Sequence, residues 1–177
     1  EHALNYGHVV RLKGGDPFIF ARGHEEVEYA ETFNIEVDIV PGISSINVPG
    51  LQNIPLTKRG VSESFWVVTG TTRSGRVSKD LYLAAQSSAT VVILMGLNKL
   101  KKIVNLFTDV GKEDLPVAII QNGSLPDQKT VYGTIKNIAE IAQKEKIGAP
   151  AIIIIGKVVS LHPNLVLEYV TNHEYNK

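Results

Sequence analysis

Two glycines followed by an aspartate, Gly14-Gly15-Asp16, stand just after the β-branched run 9–12. Glycine has no Cβ atom, so this pair would let a ligand approach the backbone and reach its N–H and C=O groups. Asp16 would place a carboxylate at the carboxyl end of a strand, where open α/β sheets bind ligands. That carboxylate could accept hydrogen bonds from a ribose hydroxyl or an ammonium group. A tight turn capped by Asp16 explains the same residues, because Gly-Gly-Asp-Pro is also good turn composition.

A second polar pair, Ser44-Ser45, follows Pro41-Gly42 at the end of the apolar run 37–40. The two hydroxyl groups could cap a helix or bind a ligand carboxylate, and capping is the commoner role. The two roles are compatible, since the N-terminus of a helix also attracts anions.

Several classes of protein are excluded by what the sequence lacks. Behind Gly14-Gly15 there is neither a third glycine at the required spacing nor an opening helix, so this is not a dinucleotide fingerprint. Lys plus Arg equals Asp plus Glu, at 18 each, which argues against broad nucleic-acid binding. With no cysteine, disulfides and thiol catalysis are excluded. None of the histidines has metal-ligand spacing, so no metal is expected.

The elements that must position these residues follow from the apolar pattern. Short apolar runs alternate with helical stretches, which predicts an α/β sandwich. Strands are predicted at 9–12, 37–40, 65–69, 91–95, 117–121 and 151–155, with a more polar edge strand at 129–132. Helices are predicted at about 23–33, at 78–86, after an N-cap at Asn98 and after an N-cap at Thr134. The predicted domains are 1–46, a linker at 47–63, and 64–177.

The segment from Val10 to Glu26 resembles the signature of the tetrapyrrole methylase family in its uroporphyrinogen-III methyltransferase form. That form has Arg-Leu-Lys-Gly-Gly-Asp-Pro-Phe after a strand, followed by Gly-Arg-Gly-Gly-Glu-Glu. The further matching motifs are Pro41-Gly42-Ile43-Ser44, Ile54-Pro55-Leu56-Thr57, Arg59-Gly60, Val68-Thr69-Gly70, Met95-Gly96-Leu97, Asn122-Gly123 and Ile155-Gly156-Lys157-Val158-Val159.

This resemblance covers almost the whole chain and implies the two-lobed α/β fold of that family. The family begins with a strand and a Gly-Pro-Gly-Asp-Pro loop that do not precede Glu1. The chain is therefore expected to hold a truncated N-terminal lobe and a complete C-terminal α/β lobe. A cytoplasmic homodimer is expected, with no membrane or nucleic-acid partner.

The resemblance also implies a cofactor, S-adenosylmethionine, folded in the cleft between two lobes. The residues that match the family's cofactor contacts are Gly14, Gly15, Asp16, Ile19, Ser44, Ser45, Met95 and Gly123. On sequence alone Met95 is more simply a core residue and Gly123 a turn glycine. The positions that depart from the family pattern are Ala21, His24, Ser45, Lys58 and Gln121.

The implied reaction is methylation of uroporphyrinogen III at two ring carbons to give precorrin-2, for siroheme or cobalamin synthesis. The substrate carries many carboxylates, which guanidinium and ammonium groups hold best. Arg22, Lys58 and Arg59 lie in family motifs and are the predicted substrate-binding residues. Arg73 and Arg76 also flank the presumed cleft, but their Gly-Ser-rich surroundings favour solvated surface charges.

Two other functions stay open. The chain could methylate a later corrin precursor on the same fold, or it could be a non-catalytic module that dimerises without binding cofactor. The base that removes a ring proton is not identifiable from the sequence.

Overall fold

The computed structural model describes residues 1–163 and residue 165, and it divides the chain into two units, Glu1–Ser45 and Ile46–Lys177. The first unit contains helices α1 (His2–Tyr6) and α2 (Gly23–Glu31). Helix α2 carries Glu25 and Glu26 in its first turn, where acidic side chains favour the positive end of the helix dipole. The helix predicted from the sequence at about 23–33 is thereby confirmed.

The two strands predicted in the first unit, 9–12 and 37–40, do not form. Neither segment has a ladder of hydrogen bonds, and their apolar side chains are largely exposed: Val10 by 72%, Leu12 by 80% and Val40 by 79%. A strand exists only where a second strand pairs with its N–H and C=O groups, and the first unit supplies none. The local pattern was strand-like, but the pairing on which a strand depends is not local.

The second unit is built on a five-stranded sheet. Its strands are β1 (Phe65–Thr69), β2 (Thr90–Leu94), β3 (Pro116–Gln121), β4 (Lys129–Thr134) and β5 (Ala151–Ile155). They lie in the order β1-β2-β5-β3-β4, with β1 and β2 parallel and the other three pairs antiparallel. All five strands predicted here are confirmed within one or two residues, and β4 lies at an edge as expected.

Helices α3 (Val48–Leu51), α4 (Asp80–Gln86), α5 (Leu100–Thr108) and α6 (Ile138–Lys144) accompany this sheet, with 3₁₀ turns at Ser45–Asn47, Leu97–Lys99 and Lys157–Leu161. The two predicted N-caps are wrong. Asn98 lies inside the 3₁₀ turn that precedes α5, and α6 begins after Asn137. The Asn137 side chain instead accepts a hydrogen bond from the Thr134 N–H at 2.7 Å, and Thr134 is the last residue of β4.

Both faces of the sheet are covered, which explains the continuous apolar strands. One face packs against helices α4, α5 and α6, with Phe107 and Ile103 fully buried. The other face packs against the turn at Lys157–Leu161 and against the chain around Ile54, which is also fully buried. Residues 47–63, predicted as a linker, thus contribute a core residue to the second unit. Among the described residues, no helix has the length and apolar character needed to cross a bilayer.

The strand directions place the carboxyl ends of three strands at one edge of the sheet. Strand β5 runs antiparallel to both β2 and β3, so β1, β2 and β3 all point the same way. Their carboxyl ends therefore share an edge, which we call the carboxyl edge. Met95 and Gly123 follow β2 and β3 there, separated laterally by β5, or about 10 Å at the usual strand spacing.

Candidate functional site

The Asp16 carboxylate fastens two loops of the first unit together. Its Oδ1 accepts a hydrogen bond from the Phe18 N–H at 2.8 Å, and its Oδ2 accepts one from the Gly42 N–H at 3.1 Å. Backbone donors to a carboxylate are charge-assisted and stronger than neutral hydrogen bonds. Asp16 thus positions the two loops, and each of its oxygens keeps a further lone pair that can accept a hydrogen bond from a ligand.

Glycines bring the same two loops into backbone contact. A Cβ built on Gly42 would lie 2.2 Å from the Gly15 carbonyl oxygen, closer than any side chain tolerates. Gly15 itself has a φ of +76° and packs against the backbone of Ile43 and Ser44. By contrast, a Cβ on Gly14 would meet no atom within 4 Å. Gly14 is therefore the place in this loop where the backbone is open to a ligand.

The remaining cofactor candidates of the first unit lie beside this contact. Ile19 is half-buried, and its N–H donates to the Asp16 carbonyl oxygen at 3.4 Å. Ser44 is buried, whereas Ser45 is exposed and opens the 3₁₀ turn at Ser45–Asn47. The structure thus brings Gly15, Asp16 and Ser44 together within one unit.

Met95 stands at the carboxyl edge in an unusual conformation. Its φ is 54°, a left-handed value that costs a side-chain-bearing residue free energy, and its side chain is 54% exposed. Its carbonyl oxygen accepts a hydrogen bond from the Thr71 hydroxyl at 3.0 Å. Exposure of Met95 contradicts the simpler expectation that it fills the core.

Glycines also close this edge. A Cβ on Gly70 would lie 2.3 Å from the Gly96 Cα, so the ends of β1 and β2 touch through backbone alone. Gly123 behaves differently, because a Cβ there would lie 2.3 Å from a methyl group of Val48. The packing of Val48 is by itself enough to require glycine at position 123.

The three predicted substrate-binding residues have different surroundings. Arg22, at φ 59°, pairs with the Glu25 carboxylate, whose hydrogen bond raises the pKa of the guanidinium. Lys58 exchanges backbone hydrogen bonds with Ser62 at 2.9 Å, forming a tight turn. Arg59 lies at the exposed tip of that turn and has no carboxylate partner among the residues the structure describes. Lys58 and Arg59 are both exposed and have no ion-pair partner among the described residues, so these two are readier than Arg22 to bind an anion.

Sequence reasoning missed the partner of the Lys13 side chain. Glu26 on α2 accepts a hydrogen bond from Lys13 Nζ at 2.6 Å and lies 3.3 Å from Arg11 Nε. The hydrogen bond from Lys13 lowers the pKa of the Glu26 carboxyl, with Arg11 adding to the effect. The opposite charges at 11, 13 and 26 are visible in the sequence. Their pairing is not, because residues 13 apart have no fixed relative position outside a regular element.

The Gln121 side chain, like the Lys13–Glu26 pair, has a structural role. Its side-chain oxygen accepts a hydrogen bond from the Gly148 N–H at 2.6 Å, which secures the chain just before β5 at the carboxyl edge.

Among the residues that the structure describes, no group of three or more His, Asp or Glu side chains could hold a metal ion. The predicted cofactor contacts offer mainly backbone groups and serine hydroxyls. Such groups bind and orient a ligand and do not attack it.

Comparison with known proteins identifies the family to which these motifs correspond. A family model described as Tetrapyrrole (Corrin/Porphyrin) Methylases matches residues 1–139. The siroheme synthase of Psychrobacter arcticus is 40% identical over 171 residues, covering 96% of this chain and 31% of that protein. An S-adenosyl-L-methionine-dependent uroporphyrinogen III methyltransferase from Methanosarcina barkeri is 42% identical over 158 residues, covering 87% of this chain and 62% of that protein.

The fold is confirmed by solved structures. Uroporphyrin-III C-methyl transferase from Thermus thermophilus, complexed with S-adenosyl homocysteine, superposes with a TM-score of 0.79 at 34% identity. The match covers 90% of this chain and 70% of that one. The chain thus spans about a third of the siroheme synthase and under two thirds of the archaeal methyltransferase.

Proposed function

We propose that this chain, which belongs to the tetrapyrrole methylase family, takes part in methylating uroporphyrinogen III with S-adenosylmethionine as methyl donor. The observation that carries the proposal is where the family motifs fall. They form the glycine contact around Asp16 in the first unit and the exposed, strained Met95 at the carboxyl edge in the second. Relatives named for this substrate and this methyl donor support the same reaction.

The residues present suit such a cofactor. Gly14 leaves open space beside its backbone, and Met95 offers an exposed side chain and a backbone fixed by Thr71. The proposed cofactor contacts are the residues predicted from the sequence: Gly14, Gly15, Asp16, Ile19, Ser44, Ser45, Met95 and Gly123. Among them, Asp16 acts by holding the Gly42 loop in place.

S-adenosylmethionine supplies a methyl group on a sulfonium, which is already an activated leaving group. The protein must therefore hold the carbon nucleophile in line with the methyl group and exclude water. Such positioning can supply roughly 7–11 kcal/mol of the barrier. Arg22, Lys58 and Arg59 are the proposed carboxylate-binding residues, and two successive transfers would give precorrin-2 for siroheme or cobalamin. Self-association as a homodimer, in the cytoplasm, completes the proposal.

Hydrogen exchange with and without millimolar S-adenosylhomocysteine tests the cofactor assignment. We expect slower exchange in the segments 14–19, 42–45, 95–97 and 122–124, and unchanged exchange at residues 132–134 of β4, which pair with the start of β3 at the end of the sheet opposite the carboxyl edge. A chain whose exchange is unchanged in all four segments at saturating ligand would contradict the proposal.

A separate assay tests the reaction itself. The chain is incubated with uroporphyrinogen III and S-adenosylmethionine, and precorrin-2 is followed by its absorbance and fluorescence. Cofactor protection without product would favour the non-catalytic alternative, which the partial coverage of the relatives supports. Product from a later corrin precursor, but not from uroporphyrinogen III, would favour the other alternative.

A further inference from the structure

A short loop after β1, residues 72–76, is closed on itself by hydrogen bonds, and we call it the arginine loop. The Thr72 N–H donates to the Arg76 carbonyl oxygen at 2.8 Å, and the Gly75 N–H donates to the Thr72 carbonyl oxygen at 2.8 Å. The Thr72 hydroxyl also donates to the Arg76 carbonyl oxygen at 3.0 Å. Gly75 has a φ of +72°, which the turn requires and which favours glycine. The Gly-Ser composition therefore builds a defined turn.

This loop is anchored to the carboxyl edge beside Met95. The Gly70 N–H donates to the Leu94 carbonyl oxygen at 2.7 Å, which extends the pairing of β1 with β2 by one residue. Next along the chain, the Thr71 hydroxyl donates to the Met95 carbonyl oxygen at 3.0 Å. The Thr69 hydroxyl donates in turn to the Thr71 carbonyl oxygen at 2.8 Å. Arg73 and Arg76 thus follow within five residues of Thr71, whose hydroxyl is bonded to the strained backbone of Met95.

The charges of the arginine loop are not neutralised. Arg73 and Arg76 are both exposed, and neither forms an ion pair within residues 1–163 and 165. The stretch from 64 to 79 contains no Asp or Glu at all. The Arg76 Nε is within 3.2 Å of the Ser74 hydroxyl oxygen, a contact that orients the guanidinium while its two terminal nitrogens stay available. A planar fork held in this way is suited to a carboxylate.

We propose that the arginine loop binds carboxylate groups of the tetrapyrrole substrate at the carboxyl edge of the sheet. This inference rests on the proposed function, and it adds Arg73 and Arg76 to the residues that determine substrate choice. A substrate with many peripheral carboxylates gains two guanidinium partners next to the site where methyl transfer is proposed. A substrate with fewer carboxylates would lose some of these contacts.

Binding of uroporphyrin III, the stable oxidised form of the substrate, tests the proposal by fluorescence titration. The double variant R73A/R76A should bind it at least about tenfold more weakly, since hydrogen bonds to charged groups are among the stronger ones. R73K/R76K should be intermediate, because it keeps the charges but loses the planar forks. The matched control K136A/K157A also removes two positive charges, but at the opposite edge of the sheet, and should bind like the parent.

Cofactor protection measured on the same variants separates the two proposals. R73A/R76A should keep the exchange pattern that S-adenosylhomocysteine produces in the parent, because the loop is proposed to contact substrate only. Equal loss of uroporphyrin affinity in R73A/R76A and in the control, or no loss in either, would overturn the role of the loop. If the parent binds uroporphyrin but shows no cofactor protection, the cofactor proposal fails and the arginine loop is still tested by its own variants.

Discussion

At the residue scale, the glycines of the candidate site do two different jobs. Gly42 and Gly70 are required because another backbone lies where their Cβ atoms would be, 2.2 Å from the Gly15 oxygen and 2.3 Å from the Gly96 Cα. Gly14 has free space around it, so packing does not explain it. A glycine that packing does not require is the stronger candidate for a ligand contact.

This difference predicts opposite effects for two alanine substitutions. Gly42→Ala should weaken the first unit by about 1–3 kcal/mol, the usual cost of forcing extra atoms into a packed contact, and should speed exchange of the amide at position 42. Gly14→Ala should leave that exchange unchanged but reduce protection by S-adenosylhomocysteine. Native-state hydrogen exchange measures both effects, and equal destabilisation by the two variants would show that the contact at Gly42 is not as described.

At the element scale, the segment 11–13 is attached to helix α2 by ion pairs and not by a strand ladder. Lys13 lies 2.6 Å from the Glu26 carboxylate, and Arg11 lies within ion-pair distance of it. This attachment replaces the strand pairing that was predicted. An attachment through charge depends on pH and salt, whereas a backbone ladder does not.

The sign of the pH dependence follows from the lowered pKa of Glu26. Because the pKa in the folded chain lies below the ordinary value of 4.5, the ion pairs contribute stability above about pH 4.5 and lose it as the pH falls through the folded pKa. Lys13→Met should raise the pKa of Glu26, as followed by the carbon-13 shift of its carboxyl group. Lys136→Met, which removes an ammonium that pairs with Asp114, serves as the control. An unchanged pKa in K13M would contradict the pairing.

The elements also show what the sequence can and cannot reveal. The five strands of the second unit were predictable because runs such as 117–120 and 151–155 are apolar throughout and are followed by Gln-Asn or by Gly. The runs 9–12 and 37–40 gave the same local signal without a partner. The N-cap prediction at Asn98 was wrong because it too used only the local residue type. Asn is a good N-cap residue, but Leu97–Lys99 forms a 3₁₀ turn before α5 begins.

Within the candidate site, the motifs indicated which loops to consider, but the contacts of single residues required coordinates. Nothing in the sequence indicates that the Asp16 carboxylate bonds to the N–H of Gly42, 26 residues away. The strain at Met95 was equally invisible, because methionine is not a residue that favours positive φ. The composition of the arginine loop indicated a solvated turn, and it gave no sign of the hydrogen bonds that fix the loop.

At the scale of the whole chain, the second unit begins well before its first strand. Ile54 has no exposed surface and packs with Val92 and Ile154 on one face of the sheet. The stretch that leads into the sheet is therefore part of the core that supports the carboxyl edge. Removing it would uncover part of one face of the sheet, the rest of which packs against the turn at Lys157–Leu161.

Truncating the Ile54 side chain tests this directly. Ile54→Ala should cost about 2–5 kcal/mol of unfolding free energy, the usual range for emptying a core position. Leu51→Ala, three residues earlier and 62% exposed, should change it by less than about 0.5 kcal/mol. Urea unfolding followed by the fluorescence of Trp66, the single tryptophan, reports on β1 in the same unit. A similar small effect for both variants would mean that residues 47–63 act as a linker.

The strand order determines when the sheet can form during synthesis of the chain. Strand β5 sits in the middle of the sheet but is the last of the five to leave the ribosome, at Ala151–Ile155. Before it emerges, β1 with β2 and β3 with β4 are two separate ribbons, and a two-stranded ribbon alone is only marginally stable in water. Met95 and Gly123 acquire a common edge in a single late step, so a nascent chain stalled before Ala151 would carry every candidate site residue but would lack the strand that holds Met95 and Gly123 at one edge.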